Sequence, residues 1–274
     1  MPQKLPDRPD FLARHRALLE QAVAATAGRD HWTPYPESPS RSVYGEGAAK
    51  SGEAAFREAL GGHFRGGHFA LPGHPGHGAL PATEESPYGF PLGVTYLRVA
   101  PEEALAAATA ATGPWRDAEA DTRAGVAAEI LGRLNAASSE IAHAHAVEHT
   151  TGQAFVMAFQ AGGPHTQDRG LGAVAYAWAE QERRPDAARW SKPRGKGGPL
   201  VIDKKFTPVG RGVALLIACD TFPTWNGYPG LSASWSPAIR VVVKPHPGAV
   251  LPLAITVRIA REVLAEAGFD ARTW

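Results

Sequence analysis

Cysteine is almost absent from this sequence: Cys219 stands alone among 274 residues, which excludes a disulfide framework within the chain and any multi-cysteine metal site. A reducing compartment is implied. Charge of one sign is also missing, since 28 Lys and Arg against 27 Asp and Glu leave a net +1 and no bulk field to hold nucleic acid or an anionic membrane. No apolar run approaches the roughly 20 residues that span a bilayer, and the opening MPQKLPDRPDFLARH sets proline and charges where a signal peptide needs an apolar stretch. The expectation is a soluble cytoplasmic protein without nucleic-acid or membrane partners. What remains, 44% hydrophobic and 20% charged residues, is the composition of a globular chain large enough to bury a sizeable core.

The texture changes twice along the chain. Residues 1–94 read as an extended, loop-rich arm behind an opening helix, in which Leu12, Leu18, Leu19 and Val23 recur at helical spacing. A short helical stretch at Gly52–Leu60 interrupts the Gly, Pro, Ser and His punctuation that follows. Residues 95–194 read as helical: Pro101–Ala111 is alanine-rich, and Asp121–His149 keeps Val126, Ile130, Leu131, Leu134, Ile141 and Ala144 on one stripe. Gly195–Pro199 reads as a flexible joint. In residues 195–274 the apolar run Gly212–Cys219, the β-branched run Arg240–Lys244 and a helix over Leu251–Ala267 follow one another. Strand, turn, short helix, strand, helix is the opening of a parallel α/β sheet whose strands are buried on both faces. It has two strands and stops.

Four constellations carry chemistry. His63, His68, His74 and His77 crowd one short tract, but their spacing alternates with Gly and Pro and no carboxylate sits among them, so a solvated loop is favoured over a metal site. His145 and His149 stand four apart on a helix around Glu148, which is not the His-Glu-x-x-His order of a helical zinc site; surface histidines are the plainer reading, and no metal is expected. Cys219 ends an apolar strand, where a free cysteine is usually a small buried hydrophobe. The informative stretch is Thr221–Gly230 followed by Val241–Pro247. Asn226 lies between aromatics on a turn after a strand, where its amide either donates to a developing oxyanion or bonds its own backbone. Lys244 ends the next strand, at the edge where open α/β sheets bind ligands; a solvated lysine is the alternative.

These residues resemble the aldehyde dehydrogenase superfamily. Its Pro-Trp-Asn-Phe-Pro box is matched by Thr224-Trp225-Asn226-Gly227-Tyr228-Pro229, one residue longer, and its Val-Val-Leu-Lys-Pro stretch by Val241–Pro247. The wording of Ser86–Thr95, Thr151–Gly163, Phe222–Gly230 and Lys244–Ile255 is similar to the phenylacetic acid degradation branch of that superfamily. The resemblance implies the N-terminal part of an aldehyde dehydrogenase fold, a helical segment leading into an incomplete parallel Rossmann-like sheet over residues 195–274. It implies NAD(P)-dependent oxidation of a small-molecule aldehyde during ring opening in phenylacetate catabolism, with a homo-oligomeric full-length protein. By carry-over Asn226 is the oxyanion donor, and Thr224, Trp225, Lys244 and Pro245 belong to the cofactor site. Pro247 stands where many NAD-using relatives have Glu, which leans the cofactor to NADP. The alternative is a non-catalytic nucleotide-binding or partner-binding module.

One departure bears on the chain itself. The family's nucleophilic Cys and general-base Glu lie beyond the lysine helix, so the resemblance implies a truncated form, inactive alone. Between Ala233 and Val241 the family would read Leu-Val-Val-Thr-Gly-Asn-Pro, whereas this chain has Ser-Trp-Ser-Pro-Ala-Ile-Arg. A single nucleotide string, CTCGTGGTCACCGGCAATCCGG, encodes the first peptide in one frame and the second in the next. At the C-terminus AACGTGGTGACC encodes Asn-Val-Val-Thr in one frame and Thr-Trp-stop in another. The expectation is a frameshifted gene and the N-terminal half of a protein about twice as long.

Overall fold

The computed structural model describes residues 9–61, 78–81, 83–148, 153–235 and 238–271. In chain order the elements are α1 (Phe11–Gly28), α2 (Arg41–Tyr44), α3 (Ala48–Ala59), β1 (Ala79–Pro81), β2 (Glu85–Ser86), β3 (Phe90–Pro91), β4 (Thr95–Leu97), α4 (Pro101–Ala110), α5 (Thr112–Asp117), α6 (Ala120–Ala136), α7 (Ser138–Glu148), α8 (Phe155–Gly162), α9 (Pro164–Glu182), β5 (Ala187–Lys192), β6 (Leu200–Lys205), β7 (Val213–Ile217), α10 (Pro223–Trp235), β8 (Arg240–Lys244) and α11 (Leu251–Glu266). His63, His68, His74, His77 and His149 lie outside the described residues.

The core is built around α6, which is apolar on more than one face and so must be surrounded. Ala124, Ala127, Leu131 and Leu134 are fully enclosed by α1, α7, α9 and α11. Gly125 sets the closest approach, because a Cβ there would meet the Leu12 amide nitrogen at 2.5 Å. Asp10 starts α1 by accepting from the Ala13 N–H at 2.9 Å. Glu129 of α6 is a buried charge hub, bonded to Arg14 at 2.9 Å, His15 at 2.7 Å and Arg133 at 2.9 Å. Burial pushes its carboxyl up, but those donors outweigh burial and hold it below the ordinary range. The stripe over 121–149 is two helices rather than one, interrupted at Ala137 ahead of Ser138-Ser139, residues that bond to backbone and favour helix starts.

The 1–94 arm carries more order than its punctuation suggests. α2 and α3 fold within it, and β1 pairs antiparallel with β4, as β2 does with β3. Glu84, buried between them, accepts from the Tyr96 hydroxyl at 2.7 Å and from the Val250 and Leu251 N–H groups, capping α11 from 167 residues away.

Around the expected joint, β5 and β6 form an antiparallel hairpin in which every residue is exposed. Then β7 and β8 pair in parallel, from Val213 opposite Arg240 to Ile217 opposite Lys244, with α10 crossing between them and α11 following. Ala214, Leu216 and Val243 pack toward the core. Burial on both faces, as expected of parallel strands, is not what the structure has: Leu215 is 62% and Ile217 68% exposed. Among the described residues β7 pairs with β8 alone, and nothing covers that side. Ala238, in the link from α10 to β8, holds a left-handed φ of 64°.

Candidate functional site at the carboxyl end of the parallel pair

Both strands of the parallel pair end at one edge. Lys244 closes β8, and its carbonyl accepts from the Ala218 N–H at 3.0 Å, so the ladder continues one residue past β7. The chain then turns through Cys219–Phe222 and starts α10 at Pro223, whose fixed φ and missing N–H suit a first helical position. Asn226 sits in that first turn rather than on an open turn. Its side-chain amide donates to Cys219 Sγ at 2.9 Å and to the Phe222 carbonyl at 3.2 Å. Of the two readings of Asn226, the structure shows the backbone bond, with the second amide hydrogen on Cys219 Sγ. Cys219 is half-buried at this edge and accepts a hydrogen bond, unlike the inert core thiol expected from its strand.

Beneath the edge a buried polar chain fixes the start of α10. The Thr224 hydroxyl donates to the Gly162 carbonyl at 2.9 Å and therefore accepts from His145 Nε2 at 2.8 Å, which puts that ring's proton on Nε2. Thr166 donates to the Thr224 carbonyl at 2.8 Å. Thr224 is fully buried, and its side chain holds the start of the helix from below. His145 corrects the expectation of surface histidines: it is 1% exposed and packed so closely on Gly162 that a Cβ there would meet its ring at 2.8 Å. His143 is half-buried and tilted against Phe155, ring centroids 4.6 Å apart.

Lys244 and Trp225 are exposed, while Pro245 and His246 are half-buried. His246 Nδ1 accepts from the Gly248 N–H at 3.1 Å and lies 3.3 Å from Asp220 Oδ1. Neither Asp220 nor His246 stands out in the sequence; His246 lies inside the lysine stretch, and Asp220 directly follows the apolar run Gly212–Cys219. Behind Trp225, His165 Nε2 pairs with Glu37 at 3.0 Å. One turn further along α9, burial raises the Asp168 carboxyl to about 6 despite the Thr33 hydrogen bond. Among the described residues no three His, Cys, Asp or Glu side chains gather as a metal site would require.

Over 97% of its length the chain matches an NAD-dependent aldehyde dehydrogenase from Burkholderia multivorans, with 50% sequence identity and a TM-score of 0.90, while covering 46% of that protein. A 1-pyrroline-5-carboxylate dehydrogenase from Thermus with bound NAD matches 88% of the chain at 17% identity and a TM-score of 0.59, with 44% of its own length covered. Proline utilization A from Bdellovibrio bacteriovorus matches 82% at 14% identity and a TM-score of 0.58, with 22% covered. The last two share the fold alone. The chain thus spans less than half of the structures it matches. No protein-family model matches it, and no curated protein does. No helix among the described residues is long and apolar enough to cross a membrane.

Proposed function

We propose that the chain belongs to the aldehyde dehydrogenase superfamily over the part of that fold it spans, and that it supplies the cofactor-gripping and oxyanion-stabilising portion of an NAD(P)-dependent aldehyde oxidation. One observation carries the reading. Asn226 and Lys244 stand at the same end of two paired parallel strands, joined through Ala218 and Cys219, and open α/β sheets bind their ligands in the crevice outside that end.

In this reading the Asn226 amide keeps the Phe222 carbonyl and turns the hydrogen now on Cys219 Sγ to the oxygen of the aldehyde as charge develops on it. Removing one such donor costs an acyl-transfer enzyme about 3 kcal/mol of transition-state stabilisation. Lys244, together with Pro245 and Trp225, holds the adenosine end of the dinucleotide. The cofactor, when bound, supplies the hydride acceptor. Thr224 contributes from below, by fixing the turn that carries Trp225 and Asn226.

Cys219 precedes Asn226, whereas the resemblance sets the family's nucleophile beyond the lysine helix, so it does not serve as the attacking thiol. We assign that thiol to the portion of the relatives that this chain does not span. The substrate class is a small aldehyde, and the wording around Asn226 and Lys244 supports an aldehyde formed on ring opening in phenylacetate breakdown. Calorimetric titration of the purified chain with NAD and NADP tests the reading: binding without aldehyde turnover is expected, and Lys244→Ala should weaken either dinucleotide about tenfold, the loss of one charge-assisted contact. Absence of dinucleotide binding would overturn it.

A further inference from the structure

The arm segment 31–37 is tied to α9 and to α2. His165 Nε2 pairs with Glu37 at 3.0 Å, and the Thr33 hydroxyl bonds the Asp168 side chain. The Tyr44 hydroxyl donates to the Pro36 carbonyl at 2.7 Å, while the Asn135 amide donates to that hydroxyl at 3.1 Å and to Gln167 of α9 at 2.7 Å. Tyr35 is buried, with a hydroxyl that has no hydrogen-bond partner among the described residues. The Thr33 hydroxyl is the contested group. It accepts from the Tyr35 N–H at 3.1 Å and has one hydrogen to give, with the Tyr35 carbonyl at 3.1 Å and the Asp168 carboxyl both in reach. An ionised Asp168 only accepts, so it takes that hydrogen from the Tyr35 carbonyl, and its buried Oδ1 still goes without a partner. A protonated Asp168 donates to the Thr33 oxygen instead, which then serves the Tyr35 carbonyl while still accepting from the Tyr35 N–H. With the proton on the far oxygen Thr33 again has one hydrogen for two acceptors, so only the first form closes the network.

We propose that residues 31–37 form a strap on α9 that is closed when the Asp168 carboxyl is protonated and loosened when it is ionised, and that its closure sets how firmly α9 holds the turn carrying Trp225 and Asn226. The path to that turn is short. Thr166, two residues before Asp168, donates to the Thr224 carbonyl at 2.8 Å, and the His165 ring stands edge-on to Trp225 with centroids 6.3 Å apart. Asp168 is faced by His31, Tyr35 and Glu37 from the strap, by Tyr44 from α2 and by His165 from its own helix, while α6 contributes the neutral Asn135 and α10 the Trp225 ring. Burial opposes the carboxylate most and Glu37 adds to it; Thr33, His165 and His31 favour it without offsetting burial, which leaves the pKa raised from 3.8 to about 6. Opening the strap returns the carboxyl to water and to its ordinary value, so closure is fully favoured below about pH 4 and weakens as the pH rises through about 6. The strap acts without ligand and does not rest on the dinucleotide reading.

The test is hydrogen exchange of the whole chain, read by mass spectrometry as protection factors at about pH 5 and about pH 8. Protection of the 31–37 amides should fall about fivefold at the higher pH. The peptide containing Asn226, whose N–H donates to the Phe222 carbonyl at 3.0 Å, should fall in parallel, while α6 stays unexchanged over the same times and so marks the opening as local. Asp168→Asn offers Thr33 an amide donor as the protonated acid offers its O–H, and should keep the higher protection at both pH values. Thr33→Val should show the lower protection at both, and His165→Gln should retain the pH dependence. Equal wild-type protection at the two pH values would overturn the proposal. So would a dependence that survives in Asp168→Asn, which places it on the His165–Glu37 pair, or strap and α6 amides that exchange together. A strap that loosens while the Asn226 peptide keeps its protection would overturn the coupling to α10.

Discussion

Asp168 has a carboxyl that the fold makes harder to ionise, because burial outweighs the hydrogen bond from Thr33 and lifts its pKa from 3.8 to about 6. A raised carboxylate pKa means that the unfolded chain gives up the proton first, so stability is fullest below about pH 4 and falls as the pH rises through about 6. The group is partly solvated, so screening reduces the effect to about 1 kcal/mol. Asp168→Asn should therefore remove a downward slope, improving urea-midpoint stability at pH 8 relative to wild type more than at pH 5. A steeper slope in the variant would reverse the assignment. Thr224 makes the opposite case, in which polar burial is fully matched. Thr224→Val keeps the volume but strips His145 and the Gly162 carbonyl of a partner, and should cost about 2–3 kcal/mol in urea unfolding. Asn226 and Lys244 were legible in the sequence because each follows an apolar strand and stands among its own kind of neighbours. His145 was not, since a helical histidine looks the same from its spacing whether it faces water or a threonine 79 residues away. Asp220 escaped for a similar reason: its relation to His246 exists only once β7 and β8 lie side by side.

The link between α10 and β8 shows how a segment can disagree with its own backbone. Ala238 is held at φ 64°, a region that costs an alanine roughly 1–2 kcal/mol and a glycine nothing. Two residues on, the Arg240 guanidinium is buried, desolvation lowering its pKa with Arg116 nearby adding to the effect. In the wording that the family would use here, the position of Ala238 is glycine, which suits this backbone where alanine does not. Ala238→Gly should stabilise the chain by about 0.5–1 kcal/mol in thermal or urea unfolding, after allowing for the extra entropy of glycine in the unfolded state. Replacing residues 234–240 with Leu-Val-Val-Thr-Gly-Asn-Pro should add to that. A neutral or destabilising outcome for both would remove the physical support for a shifted frame, and resequencing the gene across this segment decides it directly. Periodic, apolar elements such as α1 and α11 announced themselves, with ends moved by about a residue, whereas α6 and α7 share one apolar stripe and part only at Ala137. The β5–β6 hairpin did not, because all its residues are exposed and apolar Trp190, Val201 and Ile202 mix with Lys, Arg and Asp in no alternation that a buried face would impose. The capping of α11 by Glu84 was equally hidden, being a bond between the loop-rich arm and the last helix.

The main core runs from Phe11 to Phe269, with a smaller cluster of Ala142, Ala158 and Phe159 beside it, and helices supply most of both. The sheet is different in kind. β7 offers Leu215 and Ile217, 62% and 68% exposed, on a strand with one neighbour, beside a chain that spans 46% of its Burkholderia multivorans relative. An uncovered apolar strand with a free row of backbone donors and acceptors is a template for pairing with another copy, and a net charge of +1 provides little repulsion to oppose it. Purified chain should therefore show a concentration-dependent rise in mass by light scattering and bind a hydrophobic dye. The double variant Leu215→Thr, Ile217→Thr keeps β-branched residues on the strand while removing apolar area, so it should lower both signals several-fold and leave the melting temperature within a few degrees of wild type. Wild-type chain that stays monomeric and dye-silent up to high concentration would overturn this reading of the strand. The same pair of measurements made in the presence of NADP separates the exposed face from the ligand edge: Leu215 and Ile217 point away from the core on β7, whereas Lys244 and Asn226 stand at the strand ends, so ligand should change the melting temperature without suppressing association.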